Sequence, residues 1–457
     1  MVAGDPAREF AGVSIDSRTV KAGELFIAIR GERFDGAAFA EAAVAAGAAG
    51  IVISPPATAN TAPAGGHSTT GGASAVVIAV ADTTAALQAL ARAVRRESGT
   101  KVVAITGSSG KTTTKEIASE FLATRYRVIR NRGNLNNHIG LPLSLVELTG
   151  RPEIAVVELG MNHAGEISAL VAIAEPDVRV WTNVGEAHLG FFSSVEAIAD
   201  AKAEIFEGAT ASTALVANAD DDRIDARLPR FRGRTVTFGI DRAADVYAAR
   251  IVDRGVEGTH ARISTPRGDV DIETPLVGRG NLANVLAAIA VALECDVPLA
   301  AMAERARTLR PAPHRGEVLK LSSGITVIDD SYNANPTAMR RAIEVLASAE
   351  ATRRIAVLGE MLELGDRSVP LHEDVGRTAA RARLDAVIAV GGTAAAALAD
   401  AALAAGLNRA SVQYVPTSEE AAGVLLGLAR RGDVVLVKGS RGVNTDRVVE
   451  RLKANRG

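Results

Sequence analysis

The stretch TGSSGKTTT, Thr106–Thr114, constrains this chain more than any other. It follows the apolar run KVVAI, Lys101–Ile105, and leads into a helical pattern over Lys115–Thr124. A strand, a glycine turn and a helix in that order form the setting of a phosphate-binding loop. Gly107 and Gly110 let backbone N–H groups turn inward with no Cβ in the way. Ser108, Ser109 and Thr113 fill out the loop. Lys111 brings a point charge to β- and γ-phosphate oxygens, and the Thr112 hydroxyl suits Mg²⁺. The helix start adds partial positive charge. Ile105 stands where the usual pattern G-x-x-x-x-G-K-[ST] has its first Gly, so this is a shortened G-x-x-G-K-T form. The competing reading, a Gly/Ser turn with a solvated lysine, does not account for the strand and helix that flank it.

The length of 457 residues predicts two or three domains. With 51 basic against 53 acidic residues the net charge is −2, which gives no reason to expect a nucleic-acid partner. The single cysteine, Cys295, ends an apolar helix and reads as a buried structural thiol with no disulfide. The start, MVAGDPAREF, lacks a basic region followed by an apolar core. No run approaches the ~18 apolar residues of a membrane span. A cytoplasmic chain, working as a monomer, is expected.

Residues 1–98 form a small α/β segment. GELFIAI contributes a strand over Glu24–Ile29, a helix spans Ala37–Ala46, and a second strand spans Gly50–Ile53. Ser54–Ser74 is rich in Pro, Gly, Ser and Thr and reads as a mobile loop, with His67 solvated in it. Residues 99–312 alternate strands and helices, the pattern of a parallel sheet with helices on both faces. Its strands are expected at Val102–Thr106, Ile154–Glu158, Val178–Asn183, Ala214–Asn218 and Val236–Gly239. Short alternating strands over 245–275 suggest an antiparallel addition, and a helix over Asn281–Glu294 closes the segment. Residues 313–457 alternate again and predict a second, Rossmann-like unit. Its strands are expected at Val318–Leu321, Thr326–Asp329, Arg354–Leu358, Ala386–Val390 and Val434–Val437. Gly391-Gly392 and GSRG, Gly439–Gly442, follow strand ends, where such sheets bind ligands; plain turns explain a lone Gly pair equally well.

Glu158 ends one apolar strand and His188 follows another, in TNVGEAHLG. At the carboxyl ends of parallel strands both would converge on the phosphate loop, where ions bridging phosphates need such ligands. Lys202 lies on the apolar face of an amphipathic helix over Ser194–Gly208, with Val195, Ile198, Ala199, Ile205 and Phe206. Two readings stand side by side. The stem packs while the ammonium snorkels to water. Alternatively, burial lowers the pKa, and the neutral amine adds CO₂ to become a carbamate, an oxygen ligand for metal.

Together these residues resemble the Mur ligase family, the ATP-dependent amide-forming enzymes of peptidoglycan precursor synthesis. The likeness runs along the chain through SIDSR (Ser14–Arg18), RGERFDG (Arg30–Gly36), GSSGKTTTKE (Gly107–Glu116) and NLNNHIGLP (Asn134–Pro142). It continues through ELGMNHAGEI (Glu158–Ile167), TNVGEAHLGFF (Thr182–Phe192), AKAEIF (Ala201–Phe206) and GRGNLANVLAAIA (Gly278–Ala290). HRGEV (His314–Val318), DDSYNANP (Asp329–Pro336), LGEMLELG (Leu358–Gly365) and VKGSRG (Val437–Gly442) complete it. Position 280 is Gly where the family often has His, while Asn281 and Asn284 keep their places.

The resemblance implies an α/β chain of three domains: an N-terminal UDP-sugar domain, a central ATP-binding parallel-sheet domain and a C-terminal Rossmann-like domain. It implies ATP and Mg²⁺. Lys111 would contact the γ-phosphate and Thr112 a Mg²⁺. Glu158, His188 and carbamylated Lys202 would organise the metal, and Asn284, Arg315 and Asp330 would contact the nucleotide. Asp16, Ser17, Arg18, Phe34 and Asp35 would line the UDP-sugar site. DDSYNANP and LGEMLELG favour the member that joins D-alanyl-D-alanine to UDP-N-acetylmuramoyl-tripeptide, with Asn333 and Asn335 near the dipeptide. The alternatives are a diamino-acid-adding or folylpolyglutamate-type ligase, or a nucleotide-dependent switch. The sequence lacks the N-K-x-D-type base-reading signature of a GTPase switch.

Overall fold

The computed structural model describes residues 3–31, 34–54 and 75–457. Most of the Ser54–Ser74 segment, His67 with it, and two residues of the RGERFDG motif lie outside the described residues.

Three sheets follow one another along the chain. The first has four parallel strands in the order Val13–Ser14, Leu25–Ile27, Gly50–Ile53 and Val76–Ala79. The expected helix over Ala37–Ala46 begins as a 3₁₀ turn, Gly36–Phe39, and becomes α-helical only over Ala40–Ala45. The Asp35 carboxylate sets that start by accepting from the Ala37 N–H at 3.0 Å.

The second sheet has nine strands. Lys101–Thr106 lies inside it, between Ile154–Glu158 and Val178–Trp181. All three are buried along their length, as continuous apolar runs in a parallel sheet covered on both faces should be. The strands over 245–275 differ in part from expectation. Val246–Asp253 pairs parallel with Arg234–Gly239, and antiparallel pairing begins on its other edge, with Thr259–Thr265 and then Gly268–Thr274. The helix Gly278–Glu294 starts three residues earlier than read, and from Val285 to Leu293 it is buried all round. Its alanines let it pack closely on the phosphate-loop helix Lys111–Leu122 and on the sheet. That loop helix begins at Lys111, not Lys115.

On the other face, Thr83–Ser98 packs against Gly140–Val146 and Glu166–Ala174 through Leu87 and Ala91. Leu25, Ile27 and Val52 of the first sheet join the same core. Thr83–Ser98 therefore belongs by packing to the segment that follows it.

The third sheet runs Glu317–Lys320, Thr326–Asp330, Asp433–Lys438, Arg353–Gly359, Ala386–Val390 and Val412–Val415, antiparallel only at its first pair. The helix expected over Ser194–Gly208 is α-helical over Val195–Ala203 and tightens into a 3₁₀ turn at Glu204–Phe206. The buried Arg179 guanidinium draws in that end, bonding the carbonyls of Ile205 and Glu207.

Candidate active site

Gly107 and Gly110 both have positive φ, at 151° and 79°. A Cβ on Gly107 would lie 1.9 Å from Thr182 Oγ1, and one on Gly110 would lie 2.3 Å from Asn284 Oδ1. Glycine is therefore required at each position by contact as well as by φ. The loop between them is pinned from the neighbouring strand end. Ser109 N–H donates to Asn183 Oδ1 at 2.9 Å, and Thr182 Oγ1 donates to the Ser109 carbonyl at 2.7 Å. Lys111 Nζ folds back onto the Gly107 carbonyl at 2.8 Å.

Thr112 Oγ1 donates to Glu158 Oε2 at 2.6 Å, and Asn136 Nδ2 donates to Oε1 at 2.8 Å. Donating its one proton to the carboxylate leaves the threonine oxygen with lone pairs for a cation. Burial pushes the Glu158 carboxyl up, but Lys111, the bonds from Thr112 and Asn136, and Arg315 together bring it below the usual carboxylate range. Burial pulls the Lys111 ammonium down, with Glu158 opposing and Arg315 adding to the shift.

These groups open onto a cavity of about 960 Å³. Its wall includes Ser108, Ser109, Gly110, Lys111, Thr112, Thr113, Glu158, His188 and Asn284 from the second segment. Arg315, Asp330, Asn333 and Asn335 come from the third. Asn284 accepts from Thr114 Oγ1 at 3.2 Å and donates to Asn281 Oδ1 at 3.3 Å. The Arg315 guanidinium lies 4.0 Å from the Tyr332 ring centroid. Burial pushes the Asp330 carboxyl up, while Lys438 pulls it down through a bond of 2.6 Å from Nζ.

Lys202 is buried, with 2% of its surface exposed, and is not among the residues that line the cavity. Snorkelling is ruled out by that burial. Desolvation first, and the like charge of Lys111 second, hold its amine well below the usual lysine range. The five residues read for a UDP-sugar lie on the first sheet's segment, away from the cavity wall. Asp16 pairs with Arg18 at 2.6 Å, and that bonding holds the Asp16 carboxyl at about 2. Ser17 sits in the same turn, Phe34 is 72% exposed, and Asp35 caps its helix and meets Arg30.

Several supporting residues carry no assignment in the sequence reading. Asn136 bonds Glu158 directly. Asn131 Oδ1 accepts from the Glu158 N–H at 3.0 Å, and the buried Lys115 Nζ donates to the Asn131 carbonyl at 2.8 Å. Lys438 holds Asp330 and the Asn333 carbonyl. The NLNN and VKGSRG motifs carried the signal for Asn136 and Lys438. Of the glycine turns, GSRG supplies Ser440, Arg441 and Gly442 to the cavity wall, whereas Gly391 and Gly392 stay off it.

Three family profiles match in chain order. They are "Mur ligase family, catalytic domain" over residues 9–95, "Mur ligase middle domain" over 105–292 and "Mur ligase, glutamate ligase domain" over 314–441. A relative from Bacillus subtilis (strain 168), named UDP-N-acetylmuramoyl-tripeptide–D-alanyl-D-alanine ligase, is 36% identical over 447 residues. That match covers 96% of this chain and 93% of the relative. The chain belongs to the Mur ligase family. The resemblance read from its motifs is borne out. This Mur ligase is also similar to solved structures. With the MurF of Acinetobacter baumannii it shares a TM-score of 0.86 at 33% identity, covering 98% of this chain and 94% of that one. With the MurF ligase of Thermotoga maritima, solved in complex with ADP, the TM-score is 0.84 at 30% identity, covering 98% and 99%.

Proposed function

We propose that this Mur ligase joins D-alanyl-D-alanine to UDP-N-acetylmuramoyl-tripeptide, consuming ATP and releasing ADP and phosphate. The observation that carries this reading is the single cavity. It brings the phosphate loop and Glu158 of the second segment together with Arg315, Asp330, Asn333 and Asn335 of the third. We read the chain as three domains in sequence order, 1–98, 99–312 and 313–457, with the helix Thr83–Ser98 of the first packed on the second, acting as a cytoplasmic monomer. No helix among the described residues is long and apolar enough to cross a membrane.

A carboxylate is a poor acyl donor because oxide is a prohibitive leaving group. The peptide carboxylate oxygen therefore attacks the γ-phosphorus, and the bond to ADP breaks. The resulting acyl phosphate is attacked at carbon by the dipeptide amine, and the tetrahedral adduct expels phosphate. Two anions meet in the first step, so fixed positive charge is needed where they meet. Lys111 supplies it, and Asn284, Arg315 and Asp330 orient the nucleotide. Asn333 and Asn335 would lie near the dipeptide, and Asp16, Ser17, Arg18, Phe34 and Asp35 would hold the UDP-sugar.

The donor chemistry fits Mg²⁺. Thr112 and Glu158 present hard oxygens side by side, and among the described residues no closed cage of three or more His, Cys, Asp or Glu exists. Mg²⁺ is held in this open manner, by one or two protein oxygens together with substrate phosphates. Thr112, Glu158, His188 and carbamylated Lys202 would hold it, and the ion would screen the converging negative charges.

The test is product identification by mass spectrometry with UDP-muramoyl tripeptide, Mg-ATP and, in turn, D-alanyl-D-alanine, a diamino acid and glutamate. The pentapeptide with ADP and phosphate is expected. AMP with pyrophosphate, or product from another amine only, would overturn the reading.

A further inference from the structure

The segment Gly359–Gly365 leaves the third sheet at the end of Arg353–Gly359 and reaches the loop that carries His188. Three consecutive residues in it are each fixed. Met361 N–H donates to His372 Nε2 at 2.8 Å, and Leu362 N–H donates to Ser440 Oγ at 2.9 Å. The Glu363 carbonyl accepts from the Gly190 N–H at 2.8 Å, and its carboxylate Oε2 lies 2.7 Å from His188 Nδ1. Where the two loops touch, a Cβ on Gly365 would lie 3.1 Å from Gly190 Cα.

The hydrogen-bond chemistry assigns the Nδ1 proton at each ring. His372 is wholly buried, with Nδ1 2.7 Å from the Ser368 carbonyl. A carbonyl only accepts, so Nδ1 carries the proton and Nε2 takes the Met361 N–H. His372 is thus a clamp that spaces the loop from its own helix, Ser368–Arg381. At His188 the same logic holds. An ionised carboxylate only accepts, so Nδ1–H donates to Glu363, and in a neutral ring Nε2 keeps its lone pair. His188 itself sits at φ 62°, a left-handed backbone uncommon outside glycine, and its ring lines the cavity.

We propose that Glu363 is a positioning residue for His188. Supplied across the interface by the third segment, it fixes the imidazole as its Nδ1–H tautomer and leaves Nε2 to accept at the cavity. Docking of the third segment then completes a residue that belongs to the second. For what Nε2 meets there, the inference rests on the ligase reading. Hydrogen-bonded partners of this kind, one step removed from the reacting groups, are typically worth about 10–100-fold in activity or metal affinity.

The experiment uses the full ¹⁵N-labelled chain with a non-hydrolysable ATP analogue and no added metal. The ring nitrogens of His188 are followed by long-range ¹H–¹⁵N NMR and identified by their loss in His188→Gln. Wild type is expected to show a protonated Nδ1 and an acceptor Nε2. Glu363→Ala should give mixed tautomers. Glu363→Gln, whose amide oxygen still accepts, should restore the wild-type pattern. In turnover, Glu363→Ala should lose about 10–100-fold in kcat, with KM for the dipeptide unchanged and part of kcat recovered in Glu363→Gln. An Nε2–H form or an even mixture in wild type overturns the proposal without any variant. So does a His188 spectrum identical in wild type and a folded Glu363→Ala. If wild type makes no amide product, the ligase reading falls, while the tautomer result stands or falls separately.

Discussion

Lys111 is half-buried at the cavity wall and Lys202 fully buried, and desolvation lowers the pKa of each, but their surroundings differ. Lys111 has Glu158 to offset its lost hydration, whereas the charged group acting on Lys202 is Lys111 itself. The Glu158 carboxylate thus favours the Lys111 cation, the form that meets phosphate. Lys111→Ala is expected to lower turnover by about 10²–10³ or more, the usual cost of one lost electrostatic contact in the transition state. Steady-state assays on protein with an unchanged melting curve check this. A buried amine beside a like charge is better off neutral, and a neutral amine takes up CO₂. We therefore expect Lys202 to be a carbamate in the active enzyme, with its charge reversed and two oxygens available. Lys202→Ala should lose most activity, and acetate should restore part of it. Full activity of that variant would count against the idea. So would a bare amine at Lys202 in a high-resolution map of an active, bicarbonate-supplied sample.

At the scale of elements, continuous apolar runs were the legible part. KVVAI, IAVVE and DVVLVK are strands because a parallel sheet buried on both faces has no polar side to alternate with. Val128–Arg130 and Val412–Val415 escaped notice because they are short and partly exposed, and only pairing with Ile154–Glu158 and Ala386–Val390 makes them strands. The end of the Lys202 helix was misread because Arg179, over twenty residues upstream, captures its carbonyls. The phosphate loop was readable because its residues are contiguous. Glu363 was not, since its partner lies 175 positions away and no spacing encodes that meeting. The helix Gly278–Glu294 was readable as apolar, and its burial on every side gives it the least tolerance of added volume. Ala288→Leu should destabilise the protein by about 1–3 kcal/mol, the usual cost of overpacking a close-packed core. A denaturant titration reads this as a lower midpoint with an unchanged slope.

Across the whole molecule, the second and third segments meet through ion pairs and through Leu189 and Val256, which pack on the core of the third. Arg340 bridges Glu186 at 2.7 Å and Asp374 at 3.1 Å, and Lys320 meets Glu257 at 2.6 Å. Partly exposed ion pairs of this kind contribute only about 0–1 kcal/mol each. The cavity is lined from both bodies, so ligands that touch both can set their distance. We expect small-angle scattering to show a smaller radius of gyration with nucleotide plus UDP-substrate than without. Dimensions that stay the same at saturation would count against closure.

Thr83–Ser98 has a mechanical consequence. Sequence order assigns it to the first segment, yet Leu87 and Ala91 anchor it to the body of the second. It cannot serve as a swinging arm for the first sheet, because any rotation that carried it along would pull an apolar stripe into water. Upstream, three residues, Val80–Asp82, join the strand Val76–Ala79 to the helix. The first sheet is strapped to the second body twice, by that short link and by Leu25, Ile27 and Val52 in the same core, so any travel is limited to the reach of three residues and costs apolar contact.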